Sequence, residues 1–262
     1  DINKITIFEG NVNSVDDKGN KLFSDYAEYN KIKGLIKTKG DTQIETSAGY
    51  KVLSKDVVFD SKKQIIFSNK KTRIEDNDGN NILVEMFNYS TSSNIFFSKG
   101  KIQIIDVNNN NYNFSEIYID ENKKKIIGSD VKGFLNQAGM SETINNNPRF
   151  FANTMSLNEK TNTFEKGIFT YCKIRDDNKC PPWTLQSKKI KHDLAKKTIY
   201  YDNVILKVYD FPIFFSPKFS HPDPTVKRRS GLLAPSLTNS TSLGTGFSTP
   251  YFWNIAKDKD LT

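Results

Sequence analysis

The sequence predicts an all-β chain, an elongated β-jellyroll or a β-solenoid stacked from strand–turn–strand units of about 30 residues. Three observations carry that expectation. A strand-ending motif returns at a fixed interval. The residues within it alternate between apolar and polar. Aromatic residues make up 12% of the chain, with 19 Phe and 11 Tyr, and β-branched residues are frequent, which favours strands over helices.

The repeat reads FSDYAEYN ending at Asn30, LSKDVVFD at Asp60, LVEMFNYS at Ser90 and NFSEIYID at Asp120. Two further copies, FANTMSLN ending at Asn158 and QSKKIKHD ending at Asp193, follow after longer gaps. Residues one and three places before each ending share a strand face: Tyr29 with Ala27, Phe59 with Val57, Tyr89 with Phe87, Ile119 with Ile117, Leu157 with Met155, His192 with Ile190. A polar turn of four to five residues comes next (KIKG, SKKQ, TSSN, ENKKK, EKTNT, LAKK). Six places past each ending stands an apolar residue: Ile36, Ile66, Phe96, Ile126, Phe164 or Ile199. Longer turns such as DDKGN, DNDGN and NNNN join several copies. Hairpins of one size cannot each bury a face alone, whereas stacked neighbours can, by curling two sheets over a shared apolar interior. The ends of such a stack expose strand edges. Its interior is either a dry, filled core or a path for acyl chains.

Hydrophobic content is 36%, ordinary for β structure with one wet face, and no apolar run is long enough for a transmembrane helix. Short alternating barrel strands remain compatible with that. The net charge of +8 comes mostly from lysines at turns, which suits edge protection and solvation as well as anionic partners. No RNA-recognition or zinc-finger signature appears, so nucleic acid is not an expected partner. No nucleophile elbow, metalloprotease, phosphate-loop or paired-carboxylate motif appears, so the chain does not read as an enzyme, and no cofactor or metal is expected. His192, on the inward face, and His221 read as structural. Cys172 and Cys180 bracket a polar loop in YCKIRDDNKCPPW, which permits a local disulfide. The chain starts inside an apparent strand and stops at Thr262 without an ending signal, so it reads as a piece of a longer protein.

The run FPIFFSPKFSHPDPTVKRRSGLLAP, followed by PYFWNIAKDKDLT, resembles the domain junction of the outer-membrane lipopolysaccharide-assembly family. So does WTLQSKKIKHDLAKKTIYYDNVILKVYDFPIFFSP upstream, and the repeat resembles the OstA-type β-jellyroll of periplasmic lipopolysaccharide-transport components. The resemblance implies a periplasmic jellyroll over residues 1–215, a Pro-rich basic linker over 216–230, and over 231–262 the first strands of an outer-membrane β-barrel, most of which lies outside the chain. It implies that the jellyroll takes lipopolysaccharide acyl chains along Tyr29, Val57, Phe59, Phe87, Phe96, Ile117, Ile119 and Ile126. Barrel strands SGLLAPSL and GFSTPYFW would carry a lateral gate weakened by Pro235 and Pro250, since proline removes a ladder donor. Lys227, Arg228 and Arg229 would lie at the membrane surface or beside lipid phosphates. Implied partners are lipopolysaccharide, a plug lipoprotein inside the barrel, a periplasmic bridge jellyroll joined by edge-strand addition, and the outer membrane. Cys172 matches the family cysteine bonded to one in the barrel; a Cys172–Cys180 bond is the alternative, and both stay open. A soluble periplasmic bridge or scaffold jellyroll is the competing reading of the whole chain.

Overall fold

The computed structural model describes residues 4–17, 19–47, 49–134, 147–172, 183–222, 226, 229–232, 236–240, 244–248, 250–256 and 259–262. The described residues form strands and turns only, and the chain is an all-β jellyroll. The strands begin with β1 (Ile5–Val15), β2 (Lys21–Asn30), β3 (Leu35–Thr38), β4 (Asp41–Glu45), β5 (Lys51–Lys55), β6 (Val58–Asp60), β7 (Ile65–Ser68), β8 (Thr72–Glu75), β9 (Asn81–Val84) and β10 (Phe87–Ser90). Longer strands follow: β11 (Ile95–Ile105), β12 (Asn111–Asp120), β13 (Lys125–Phe134), β14 (Asn147–Leu157), β15 (Thr161–Cys172), β16 (Trp183–Asp193), β17 (Thr198–Val208) and β18 (Phe211–Pro222). These make one antiparallel sheet of 18 strands.

That sheet folds into two layers because each long strand bends near its middle. β2 pairs with β3 over Ala27–Asn30 but with β4 over Lys21–Ser24. β3, β6, β7 and β10 lie in the first layer; β4, β5, β8 and β9 lie in the second. Both series rejoin on β11, through Ile95–Phe97 in one layer and Ile102–Ile105 in the other. The corners carry left-handed residues: Gly40 at φ 80°, Asp56 at 49°, Gly100 at 106°, Asp130 at 51°, Asn203 at 51°. A positive-φ residue placed as a bulge bends a strand and strengthens its twist. At Gly100 a side chain is excluded twice over, by that φ and by Glu85 Oε2, 2.7 Å from where a Cβ would stand.

The strand-ending residues are turn caps. Asn30, Asp60, Asp120 and Asp193 each accept, on Oδ1, the backbone N–H three residues ahead, at 2.9–3.0 Å. The last residue of the turn is left-handed at Gly34, Gln64, Asn94, Lys124 and Lys197. In the longer turns Asp16, Asp76 and Asp106 accept both the backbone and the side-chain N–H of Asn20, Asn80 and Asn110. Two of those asparagines tie neighbouring units: Asn20 Oδ1 accepts the Ser47 N–H and Asn80 Oδ1 the Val107 N–H.

Three details depart from expectation. The turn after Asn158 is tight, because Asn158 Oδ1 accepts the N–H of both Lys160 and Thr161. Leu157 therefore faces Asn162, and Phe164 moves alongside Met155. The sheet also runs on to Pro222: His221 pairs with Ile199 and Pro222 with Thr198, so HP closes a strand instead of opening a linker. Finally, residues 231–262 form short strands. β19 (Gly231–Leu232), β22 (Tyr251–Ala256) and β23 (Lys259–Leu261) make one sheet, and β20 (Ser236–Ser240) pairs with β21 (Gly244–Ser248). GFSTPYFW is thus split between β21 and β22, with Pro250, which has no N–H for a ladder, outside both.

Candidate apolar groove

A four-residue turn places the residue before each cap opposite the residue six beyond it. The result is an unbroken inward row across the first layer: Tyr29–Ile36–Phe59–Ile66–Tyr89–Phe96–Ile119–Ile126–Leu157, each directly facing the next. Nearer the corner runs a second row, in which Val57, Phe87 and Ile117 alternate with small residues. The eight lipid-path candidates all fall on these two rows. Val57, Phe87 and Ile117 are 2%, 3% and 1% exposed, Phe96 is buried, and Tyr29, Phe59, Ile119 and Ile126 are half-buried. Phe87 and Phe96 stack with ring centroids 6.4 Å apart.

The small residues of the second row repeat every 30 positions: Thr38, Ser68, Ser98 and Gly128. Thr38 Oγ1 donates to the Val57 carbonyl at 3.3 Å, Ser68 Oγ to that of Lys55 at 2.6 Å, and Ser98 Oγ to that of Met86 at 2.7 Å. The Ser98 hydroxyl thereby pairs a carbonyl at a corner, whereas the Val57 carbonyl also accepts the Thr38 N–H at 2.9 Å. A Cβ on Gly128 would stand 2.7 Å from the Phe114 ring of the facing layer, so the two layers touch there.

The facing wall is where sequence reading missed residues. Leu22, Val52, Ile82 and Tyr112 recur every 30 positions on the second layer, as do Ile44, Ile74 and Ile104, and all pack on the same core. The interval already in hand for the first layer would have found them.

The apolar interior is thus packed at its corner, and most of the row nearer the turns is half-buried. Polar rims stand at the mouth. Tyr89 Oη donates to Glu121 Oε2 at 3.1 Å on the first layer, and Tyr112 Oη to Asp106 Oδ2 at 3.3 Å on the second. Burial, reinforced by Glu121, pushes the Tyr89 hydroxyl well above its ordinary value of 10.0. Burial and then Asp106 push Tyr112 up to about 12. Asp106 is raised by burial, but hydrogen bonds from Asn110, Asn108 and Tyr112 outweigh that and hold it below its ordinary 3.8. Tyr50 is raised by burial and next by Glu121, an acid of the opposite rim.

Among the described residues both ends of the stack are uncovered: β1 pairs only with β2, and β18 only with β17. Phe8, Phe214 and Phe219 face partners on the inward rows yet are 48%, 52% and 43% exposed. His221 closes the last row: its Nδ1 donates to the Pro222 carbonyl at 2.6 Å, and its Nε2 is hydrogen-bonded with Tyr201 Oη at 2.9 Å. Burial pushes Tyr201 up to about 12. Arg229 Nη1 donates to Thr198 Oγ1 at 2.5 Å, tying Arg229 to β17.

Lys227, Arg228, Pro235 and Cys180 lie outside the described residues. Cys172 ends β15, with its backbone opposite Asn147. Pro250 is half-buried just before β22. Among the described residues no group of three His, Cys, Asp or Glu is arranged to hold a metal, and no helix is long and apolar enough to cross a membrane.

No protein-family model matches the chain. "LPS-assembly protein LptD" of Paraburkholderia xenovorans is 36% identical over 106 residues, 40% of this chain and 13% of that protein. The protein of that name from Shewanella sp. (strain ANA-3) is 40% identical over 87 residues, 32% of this chain and 11% of that protein. The one from Aeromonas hydrophila is 29% identical over 148 residues, 55% of this chain and 15% of that protein. The chain thus spans only a small part of the length of each of these relatives, and across the shared part it is homologous to the LptD family of LPS-assembly proteins.

Proposed function

We propose that this chain is the front of an outer-membrane lipopolysaccharide-assembly protein, with its jellyroll in the periplasm. Acyl chains of lipopolysaccharide lie between the two layers and pass along the stack towards β18 and the strands beyond. The unbroken apolar row from Tyr29 to Leu157 carries this reading. Burying a CH₂ is worth roughly 0.8 kcal/mol, so an acyl chain outside a membrane needs a continuous apolar wall. Homology to proteins named for LPS assembly supports it.

Residues 231–262 open the barrel in this reading. On β22 the apolar side chains Tyr251, Trp253 and Ile255 are 53%, 54% and 54% exposed while Phe252 and Asn254 between them are half-buried. Outward apolar alternation is what a lipid-facing strand requires, and a soluble bridge protein has no use for it. Pro235 and Pro250 weaken the seam through which lipid leaves sideways. Lys227, Arg228 and Arg229 meet lipid phosphates at the membrane surface. The uncovered edge of β1 accepts a strand from a periplasmic bridge jellyroll, and a plug lipoprotein fills the barrel. Cys172 bonds either Cys180 or a barrel cysteine. The role is transport, not catalysis.

A photocrosslinking amino acid at Phe87 or Phe96 should capture lipopolysaccharide in cells, and one at Asn88, the outward neighbour, should not. Equal capture at all three positions, or none, refutes the groove.

A further inference from the structure

The two lips of the groove are oppositely charged. Turns that end the first layer read KIKG at 31–34, SKKQ at 61–64, ENKK at 121–124 and LAKK at 194–197, and every lysine among them is exposed. Turns that end the second layer read DDKGN at 16–20, TSAGY at 46–50, DNDGN at 76–80 and DVNNN at 106–110; their one lysine, Lys18, lies outside the described residues. Local pairing does not erase the contrast. Lys63 and Lys123 are paired with the caps Asp60 and Asp120, and Lys124 with Glu159, but Lys31, Lys33, Lys196 and Lys197 have no carboxylate partner among the described residues.

Burial of acyl chains fixes how deep an amphiphile sits, yet is indifferent to rotation about the chain axis. Charge at the rims removes that freedom. A phosphate is attracted to the lysine lip and repelled by the aspartate lip. We infer that the groove seats an anionic amphiphile in one orientation, acyl chains between the layers and phosphates along the first-layer lip, an inference that rests on the lipid-groove reading above. Successive turns on one lip are two strands apart, about 10 Å. That is close to the Debye length of about 8 Å in physiological salt, so the lysines of the successive turns 31–34 and 61–64 overlap in reach. The uncharged turn TSSN at 91–94 falls between the second and third of them, and the turn at 159–160, where Glu159 and Lys160 cancel, between the third and fourth.

The test uses the full chain with benzoylphenylalanine at Phe96 in the groove, at Ser92 on the first lip or at Val107 on the second. The probes are palmitoyl lysophosphatidic acid and monopalmitoylglycerol, which share a chain and differ in the phosphate. Phe96 should capture both probes. Ser92 should capture the phosphate-bearing probe about fivefold better than Val107 does, with no lip preference for the neutral one. Combining Lys62→Gln, Lys63→Gln, Lys123→Gln and Lys124→Gln should remove the preference and leave capture at Phe96 unchanged, which also reports that the variant is folded. Capture at Phe96 with equal labelling of the two lips by lysophosphatidic acid overturns the orientation alone. No capture of either probe at Phe96 overturns the groove itself, and the orientation with it.

Discussion

Gly128 is small for a steric reason, not a conformational one. It lies in the second inward row between Ile117 and Met155, and the ring of Phe114 fills the space a side chain would take. Gly128→Ala should destabilise the chain by about 1–3 kcal/mol, read from urea unfolding, and Phe114→Leu in the same molecule should recover part of that loss. The rim tyrosines predict a pH effect. Tyr112 ionises at 10.0 when unfolded but only at about 12 when folded, and Tyr89 shifts in the same direction. Below pH 10 their contribution is fully present. Above it the unfolded state loses protons first, so stability falls as pH rises towards the folded values. Thermal unfolding from pH 9 to 11 should show that fall, and the double variant Tyr89→Phe/Tyr112→Phe should flatten it.

At the scale of single elements, the corner hydroxyls hold each bend. Ser98 is 0% exposed and its Oγ is hydrogen-bonded to the Met86 carbonyl. Ser98→Ala leaves that carbonyl unpaired and should cost about 1–3 kcal/mol in denaturant unfolding, whereas Ser92→Ala in an exposed turn should cost almost nothing. The corners also explain how far the sequence could be read. Between the turns the interval of 30 residues and the period-two faces were legible, because capping residues and directly opposed side chains repeat in register. The bends were not. Along β2 the inward residues are Leu22 and Ser24, then Ala27 and Tyr29, so the inward parity changes from even to odd at the corner. An added corner residue exchanges the faces of everything beyond it. Alternation read backwards from Asn30 therefore found the first layer and lost the second. The tight turn after Asn158 escaped for a related reason: EKTNT looks like its longer counterparts until the Asn158 side chain closes it early.

At the scale of the whole molecule, the inward rows were legible as an apolar face but not as one wall of a two-layered interior. Which residues sit deep and which at the mouth depends on the second wall, and the rims become lips only once both sets of turns are placed. The stack itself has a modular logic. Each unit contributes two strands to each layer and ends on the same kind of cap. Residues 61–90 span β7, β8, β9 and β10, and their removal brings β6 against β11 in one layer and β5 against β11 in the other. The splice joins Asp60 to Thr91, which keeps a capping residue ahead of a four-residue turn. That shortened chain should fold cooperatively, with a groove about 10 Å shorter, whereas deleting a single residue within β6 should scramble the pairing; circular dichroism and small-angle scattering would tell the two apart. Such a chain is an adjustable strut. Whole units can be gained or lost, lengthening or shortening the stack in fixed steps, without redrawing a single contact within the units that remain.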